Sequence, residues 1–142
     1  MPTTALPGVI QGGMGVAVSG WRLARAVSST GQLGVVSGTA LGVVAARTLA
    51  DGDPGGHLRR AADAFPLPDV ADRVIRRWFV EGGRDPDQPY PAVPMFSAPT
   101  NQGLVELCVF GTFAEVWLAK EGHAGPVGIN LLHKVQIPTL PT

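Results

Sequence analysis

The sequence predicts an α/β fold built on a parallel sheet, and two stretches carry that expectation. Gly8-Val9-Ile10-Gln11-Gly12-Gly13-Met14-Gly15 is a short apolar strand running straight into glycines. After a helical stretch, Gly31-Gln32-Leu33-Gly34-Val35-Val36-Ser37-Gly38 repeats the pattern of glycine, apolar strand and small residues. Two strand, loop and helix units in succession bring both strand ends to one side of a parallel sheet, where such folds keep their sites. Glycines at a strand end also leave bare backbone that a flat or charged group can approach closely.

The first strand is expected at residues 8–11, followed by a helix with Ser19 as N-cap and Trp21, Ala24 and Val27 on one face. Gly31 supplies the helix stop, and residues 33–37 form the second strand. Gly38-Thr39 opens a helix through Leu41, Val44, Ala45 and Leu49, nearly free of polar residues until Arg47 and so expected to be covered on most sides. The tract Asp51-Gly52-Asp53-Pro54-Gly55-Gly56 is a turn. Residues 1–50 therefore hold the first two β/α units, and residues 51–103 form an insertion of helices and loop. Within it, Leu58, Ala61, Ala62 and Phe65 keep helical spacing up to Pro66-Leu67-Pro68. Asp69 then caps a helix with Val70, Ala71, Val74, Ile75, Trp78 and Phe79 on its apolar stripe. Asp69 with Arg73 and Asp72 with Arg76 are i,i+4 pairs in the favourable order, worth roughly 0.2–0.5 kcal/mol each.

Residues 82–99 read as a proline-rich loop, the kind that serves as a lid, binding loop or linker. From residue 104 to 142 the chain returns to the sheet. Residues 104–110 are expected as a short extended piece, with a helix from about Phe113 to a stop at Gly122. Pro126-Val127-Gly128-Ile129-Asn130-Leu131-Leu132 is then a buried third strand with one polar residue inside it.

At 142 residues, with 45% hydrophobic content, the chain can bury a real core. Eleven basic residues balance eleven acidic ones, so charge gives no reason to expect a nucleic-acid or anionic-membrane partner. One cysteine, Cys108, excludes an internal disulfide and any cysteine-cluster metal site. Residues 1–7 lack the charged start and apolar core of a signal peptide, and Gly and Pro interrupt the hydrophobic runs. A cytoplasmic protein without a membrane span is expected. The ending Gln136-Ile137-Pro138-Thr139-Leu140-Pro141-Thr142, uncharged and directly after an apolar strand, is the pattern expected of a truncation.

Asn130 is the sharpest single candidate, because asparagine is depleted in strands and a buried amide must be paired. It either points into a site or satisfies neighbouring loop backbone. Gly12, Gly13 and Met14 likewise form either a tight turn or a ligand contact. The spacing of Gly8, Gly12, Gly13 and Gly15 does not match the dinucleotide fingerprint, and no phosphate loop occurs. His57, His123 and His133 show no metal-site spacing, so no metal is expected. His123 reads as a helix C-terminal residue favoured by the dipole. Ser19, Ser37 and Ser97 lack a nucleophile-elbow context. Arg59, Arg60, Arg73, Arg76 and Arg77 read as a solvated helix face, and Cys108 as a small hydrophobe.

Taken together, three motifs resemble the N-terminal part of the nitronate monooxygenases, the flavin-dependent family formerly called 2-nitropropane dioxygenases. They are Val9-Ile10-Gln11-Gly12-Gly13-Met14-Gly15 with Ser19 shortly after, Gly31-Gln32-Leu33-Gly34-Val35-Val36-Ser37-Gly38, and Val127-Gly128-Ile129-Asn130-Leu131-Leu132. The same motifs are similar to the trans-acting enoyl reductases of polyketide and polyunsaturated fatty acid synthesis. The resemblance implies a partial TIM (β/α)8 barrel, about its first three strands, with a helical insertion, against the roughly 250 residues of a full barrel. It implies FMN at the C-terminal strand ends, with Gln11, Gly12, Gly13 and Met14 beside the flavin ring and Asn130 hydrogen-bonded to the cofactor. The implied reaction oxidises alkyl nitronates with O2; in the enoyl reductase relatives a hydride passes to an unsaturated thioester. The family's phosphate loops and catalytic histidine lie later in its chain, so the polypeptide is expected to be inactive alone. The alternative is a non-catalytic fragment that associates through an exposed sheet edge.

Overall fold

The structure, a computed structural model, describes residues 6–95 and 101–131. The expectations for Ser97, Leu132, His133 and the 136–142 ending lie outside those residues. Among the described residues the fold is mixed α/β, with five helices and a two-stranded parallel sheet. In chain order the elements are α1 (Trp21–Ser28), β1 (Gly34–Ser37), α2 (Leu41–Ala50), α3 (His57–Asp63), α4 (Pro68–Trp78), α5 (Gln102–Lys120) and β2 (Val127–Asn130). They divide into two compact units: described residues up to 39 with 115–131, and residues 40–95 with 101–114.

In the first unit β1 and β2 are parallel, with Gly34 opposite Val127 and Ser37 opposite Asn130. The expected first strand joins the other edge of β1 by a single parallel bridge, Ile10 to Leu33. There the Leu33 N–H donates to the Val9 carbonyl at 3.1 Å and the Gln11 N–H to the Leu33 carbonyl at 3.0 Å. The ladder stops because the next donor on β1, the Val35 N–H, is taken by the Gln11 side-chain oxygen at 3.0 Å. β2 is half-buried along its length and not fully buried as expected. α1 lies against β1 through Ala24, which is fully buried, and Gly34, where a Cβ would stand 2.7 Å from the Ala24 carbonyl carbon. Ser28 is also fully buried, its hydroxyl donating to the Pro126 carbonyl at 3.0 Å, whereas Trp21 and Val27 are only half-buried.

Ser19 does not cap α1. Gly20 holds the N-cap position, and the Trp21 N–H donates to Glu115 Oε2 of α5 at 2.7 Å. Glu115 is buried, and that burial pushes its carboxyl above the usual carboxylate range, outweighing the opposing pull of the Trp21 N–H and of Arg22. The folded state thus holds this proton more tightly than the unfolded chain does. The cost of ionised Glu115 is absent below the unfolded value of 4.5 and complete above the raised folded value, so stability falls as pH rises between them. Glu115→Gln keeps an acceptor for Trp21 and removes the charge. Its melting midpoint is expected to exceed the parent's at pH 7.5, with the gap closing as pH approaches 4.5; Glu115→Ala loses the cap and about 1 kcal/mol. Thermal melts across that pH range check both. At the other end of α5 the expected stop is in place: Gly122 has φ +78° and His123 donates from Nε2 to the Ala119 carbonyl at 2.7 Å.

The second unit packs α2, α3 and α4 with the first part of α5. Its core includes Leu41, Ala45, Leu49, Leu58, Val74 and Trp78, with the Phe65 ring edge-on to Phe110 and Phe113 at centroid distances of 5.7 and 4.9 Å. The expected extended piece over 104–110 is helical instead. Leu104, Leu107, Phe110 and Ala114 repeat at three- and four-residue spacing and are all buried, while Val105 and Val109 between them are exposed. That period is helical, and burial along it overrides the β-prone composition. Asn101 starts the helix, its Oδ1 accepting the Leu104 N–H at 3.1 Å. By length and composition α5 could cross a membrane, but its buried stripe packs against protein.

α4 begins at Pro68, so Asp69 lies inside its first turn and does not cap it. Arg73 pairs with Glu106 through two bonds of 2.8 and 3.1 Å, and Arg76 Nε donates to the Asp72 backbone carbonyl at 3.3 Å. The proline-rich loop is fastened at Tyr90: the Arg47 and Arg84 guanidiniums lie over its ring at 5.1 and 3.8 Å, and its hydroxyl donates to Asp51 at 2.8 Å. In the turn before α3, Asp53 is 1% exposed with φ +48°. Its carboxylate accepts the Leu58 and Arg59 N–H groups, each at 3.0 Å, and Arg59 Nε at 3.3 Å.

Candidate functional site

Because the 8–11 segment, β1 and β2 run parallel, their C-terminal ends lie on one side of the sheet. The loop over residues 12–19, the Ser37-Gly38 step and Asn130 meet there. The Gln11 and Ser19 side chains brace the loop through four hydrogen bonds. Ser19 Oγ donates to the Gly12 carbonyl at 3.1 Å and accepts the Met14 N–H at 3.2 Å; Gln11 Nε2 donates to the Gly12 carbonyl at 2.6 Å and to Ser19 Oγ at 3.2 Å. The Ser37 N–H donates to the Ser19 carbonyl at 2.8 Å, tying the loop's end to the end of β1. Asn130 Nδ2 donates to the Gly13 carbonyl at 3.0 Å, so the sequence's sharpest candidate and its glycine turn are in direct contact. Asn130 satisfies loop backbone with its nitrogen, and its Oδ1 makes no hydrogen bond among the described residues.

The two glycines of the turn differ. A Cβ on Gly13 would come within 2.7 Å of Val35 Cγ1 and 2.8 Å of the Val36 carbonyl oxygen, so packing requires glycine there. Gly12 is exposed, has no positive φ, and a Cβ on it would meet nothing within 4 Å. It is the one glycine without a positive φ beside which a Cβ would meet open space; Gly8, Gly20 and Gly128 would meet only ordinary contacts of 3.5–3.7 Å or more. Gln11 is different again: its oxygen accepts the Val35 N–H and its nitrogen donates twice, which uses the amide in holding the turn.

The loop's own side chains are mostly aliphatic and all uncharged. From residue 6 to residue 21 there is no charged side chain. Met14, Val16, Val18 and Leu131 are 70%, 50%, 71% and 65% exposed. Ser19, Gly38 and Leu131 complete the site, although the motifs alone gave Gly38 and Leu131 no separate role. A Cβ on Gly38 would meet Leu131 Cδ2 at 2.6 Å, and the Gly38 N–H donates to the Asn130 carbonyl at 2.8 Å.

Other candidates stay apart. Among the described residues no group of three His, Cys, Asp or Glu side chains could hold a metal ion. Cys108 is half-buried, and burial pushes its thiol up. A groove of about 630 Å3 in the second unit is lined by Arg59, Asp63, Asp72, Ile75 and Arg76, where acids alternate with bases. Comparison with known protein families, with characterised proteins and with solved structures finds no match to this chain.

Proposed function

We propose that this chain carries the first part of an FMN-dependent oxidoreductase of the nitronate monooxygenase kind, acting in the cytoplasm on alkyl nitronates with O2. In this reading the three parallel segments are the first three strands of a (β/α)8 barrel, whose sites lie at the C-terminal strand ends. The observation that carries it is Gly12: exposed backbone with open space above it, at a glycine that neither conformation nor packing requires. Such a surface fits the face of a planar ring. Held beside Gln11, Gly12, Gly13, Met14 and Asn130, FMN would supply the electron acceptor for nitronate oxidation, with O2 as the final oxidant.

The chain's own residues have separable tasks here. Gly12 gives van der Waals contact along the ring, with Gly13 and Met14 continuing the wall. Asn130 fixes the loop through Nδ2 and keeps Oδ1 to accept an N–H of the cofactor. Gln11 and Ser19 hold the turn in the shape that presents Gly12. The uncharged loop leaves polar recognition to a few backbone and amide groups, as is usual in small-molecule sites.

Gly12→Val tests this directly. Because nothing lies within 4 Å of the new Cβ, the melting temperature should stay within the parent's error, while FMN affinity, read by quenching of flavin fluorescence, should fall at least tenfold. A parent chain that leaves flavin fluorescence unquenched, or a Gly12→Val chain that quenches it equally, would sink the reading. A hydride-transferring enoyl reductase would use the same walls, and comparing nitronate with unsaturated thioester turnover separates the two. A second reading, association through the sheet, is favoured by the 59% and 64% exposure of Val9 and Ile10 on one edge. It also fits the absence of a second strand partner for β2 among the described residues. A concentration-independent monomer in sedimentation would exclude it.

A further inference from the structure

In the second unit, the segment Gln88-Pro89-Tyr90-Pro91-Ala92-Val93-Pro94-Met95 has a period of its own. Proline holds φ at about −65°, and the residue before a proline is pushed to extended or polyproline II backbone. Between Gln88 and Pro94 only Ala92 escapes both restrictions. The exposures agree: Tyr90 and Val93 are half-buried, while Pro89, Pro91, Ala92, Pro94 and Met95 are exposed. A β-strand would bury every second residue; burial of every third belongs to polyproline II, with its about three residues per turn and no internal hydrogen bonds. Residues 89–95 form no helix, strand or turn, and among the described residues none of their backbone groups bonds to other backbone. The start of the segment is nevertheless fixed. Arg84 Nη1 donates to the Gln88 carbonyl at 2.6 Å, and the Tyr90 hydroxyl to Asp51 at 2.8 Å.

We propose that residues 88–95 are a preformed polyproline II ridge that docks into an aromatic-lined groove of a partner protein. One edge of the ridge, Tyr90 with Val93, is turned toward its own unit. The other two, Pro91 with Pro94 and Pro89 with Ala92 and Met95, are left exposed, Met95 at 85%. Pro91 and Pro94 have the spacing that such grooves read, one turn apart on a single edge. No side chain from 88 to 95 is charged, so the ridge offers proline rings, small apolar groups and unbonded carbonyls, which suit stacked aromatic rings with a few hydrogen-bond donors. The hold of Arg84 and Asp51 on its start lowers the ordering cost of docking. The ridge stands apart from the flavin reading and does not depend on it.

The test is a titration of the full chain, carbon-13 labelled at Ala and Met methyls, with three purified domains whose grooves read polyproline II: an SH3 domain, a WW domain and an EVH1 domain. The expected result is saturable shifts at the Ala92 and Met95 methyls with at least one of them. Pro91→Ala combined with Pro94→Ala should weaken that binding about tenfold or more by removing both the rings and the fixed φ. Because both prolines are exposed, the melting temperature should not change. Asp87→Ala, exposed and just outside the ridge, should bind like the parent. No saturable shift with any of the three domains, shifts confined to methyls away from the ridge, or binding that survives the double substitution would overturn the proposal. Concentration-dependent dimerisation that the double substitution abolishes would overturn it as well, by assigning the ridge to a second copy of this chain.

Discussion

Gly34→Ala is expected to leave the first unit unfolded, with the chain recovered mainly as insoluble protein and the remainder lacking a cooperative thermal transition. The added Cβ would overlap the Ala24 carbonyl group, approaching its carbon to 2.7 Å and the Ala24 Cα to 2.9 Å. Both are backbone atoms inside α1, so no rotamer change relieves the overlap, and the helix must move off the strand. Ala24 is fully buried, and its cover is lost as α1 lifts. Overpacking where side chains can shift costs about 1–3 kcal/mol; against fixed backbone the cost reaches the upper end or exceeds it. That is a large share of the stability of a small domain. Gly128→Ala, in the neighbouring strand, is the control. Its Cβ would sit at ordinary contact distance, 3.6 Å from Val35 and 3.7 Å from Leu33, and circular dichroism melts should place it within about 1 kcal/mol of the parent.

Asp53→Ala is the second large effect and falls on the second unit. It removes the acceptor of two backbone N–H groups, those of Leu58 and Arg59, from a site 1% exposed, and puts a β-carbon without a local hydrogen bond at φ +48°. Hydrogen bonds to a buried charge contribute about 1.5–3 kcal/mol, and asparagine and aspartate tolerate the left-handed region better than alanine does. A loss of about 3 kcal/mol is expected in urea unfolding followed by tryptophan fluorescence, with an unchanged slope. Arg59 adds little, since its side chain is 49% exposed. Asp53→Asn keeps the backbone preference and one acceptor and should lose about half as much; a loss equal to alanine's would show that charge, and not acceptor geometry, holds α3.

The parts of this fold visible in the sequence are those set by local chemistry. The stop at Gly122, the turn at 51–56 and the strand over residues 34–37 follow from glycine conformation and apolar runs, and all three are where they were expected. The errors occur where a distant residue decides. Ser19 has the composition of an N-cap, but Glu115, ninety-four residues beyond Trp21, takes the Trp21 N–H and leaves the serine to the loop. Residues 104–110 are β-prone by composition, yet Leu104, Leu107 and Phe110 are buried with helical spacing, and Asn101 was the local sign of a helix start. For the site, glycine content alone could not separate Gly12 from Gly13. Val35 and Val36 make that distinction by filling the space beside one and leaving the other open.

Gln11 carries a further consequence. Its side-chain oxygen takes the bond that its own carbonyl would make in a continued ladder, and its nitrogen closes the turn beneath Gly12. Glutamate lacks the second function, and asparagine is a methylene too short for the first. Position 11 is therefore constrained by architecture whether or not anything binds, while nothing in the architecture constrains position 12. An invariant glutamine at 11 would say nothing about chemistry, whereas an invariant glycine at 12 would be evidence for a ligand.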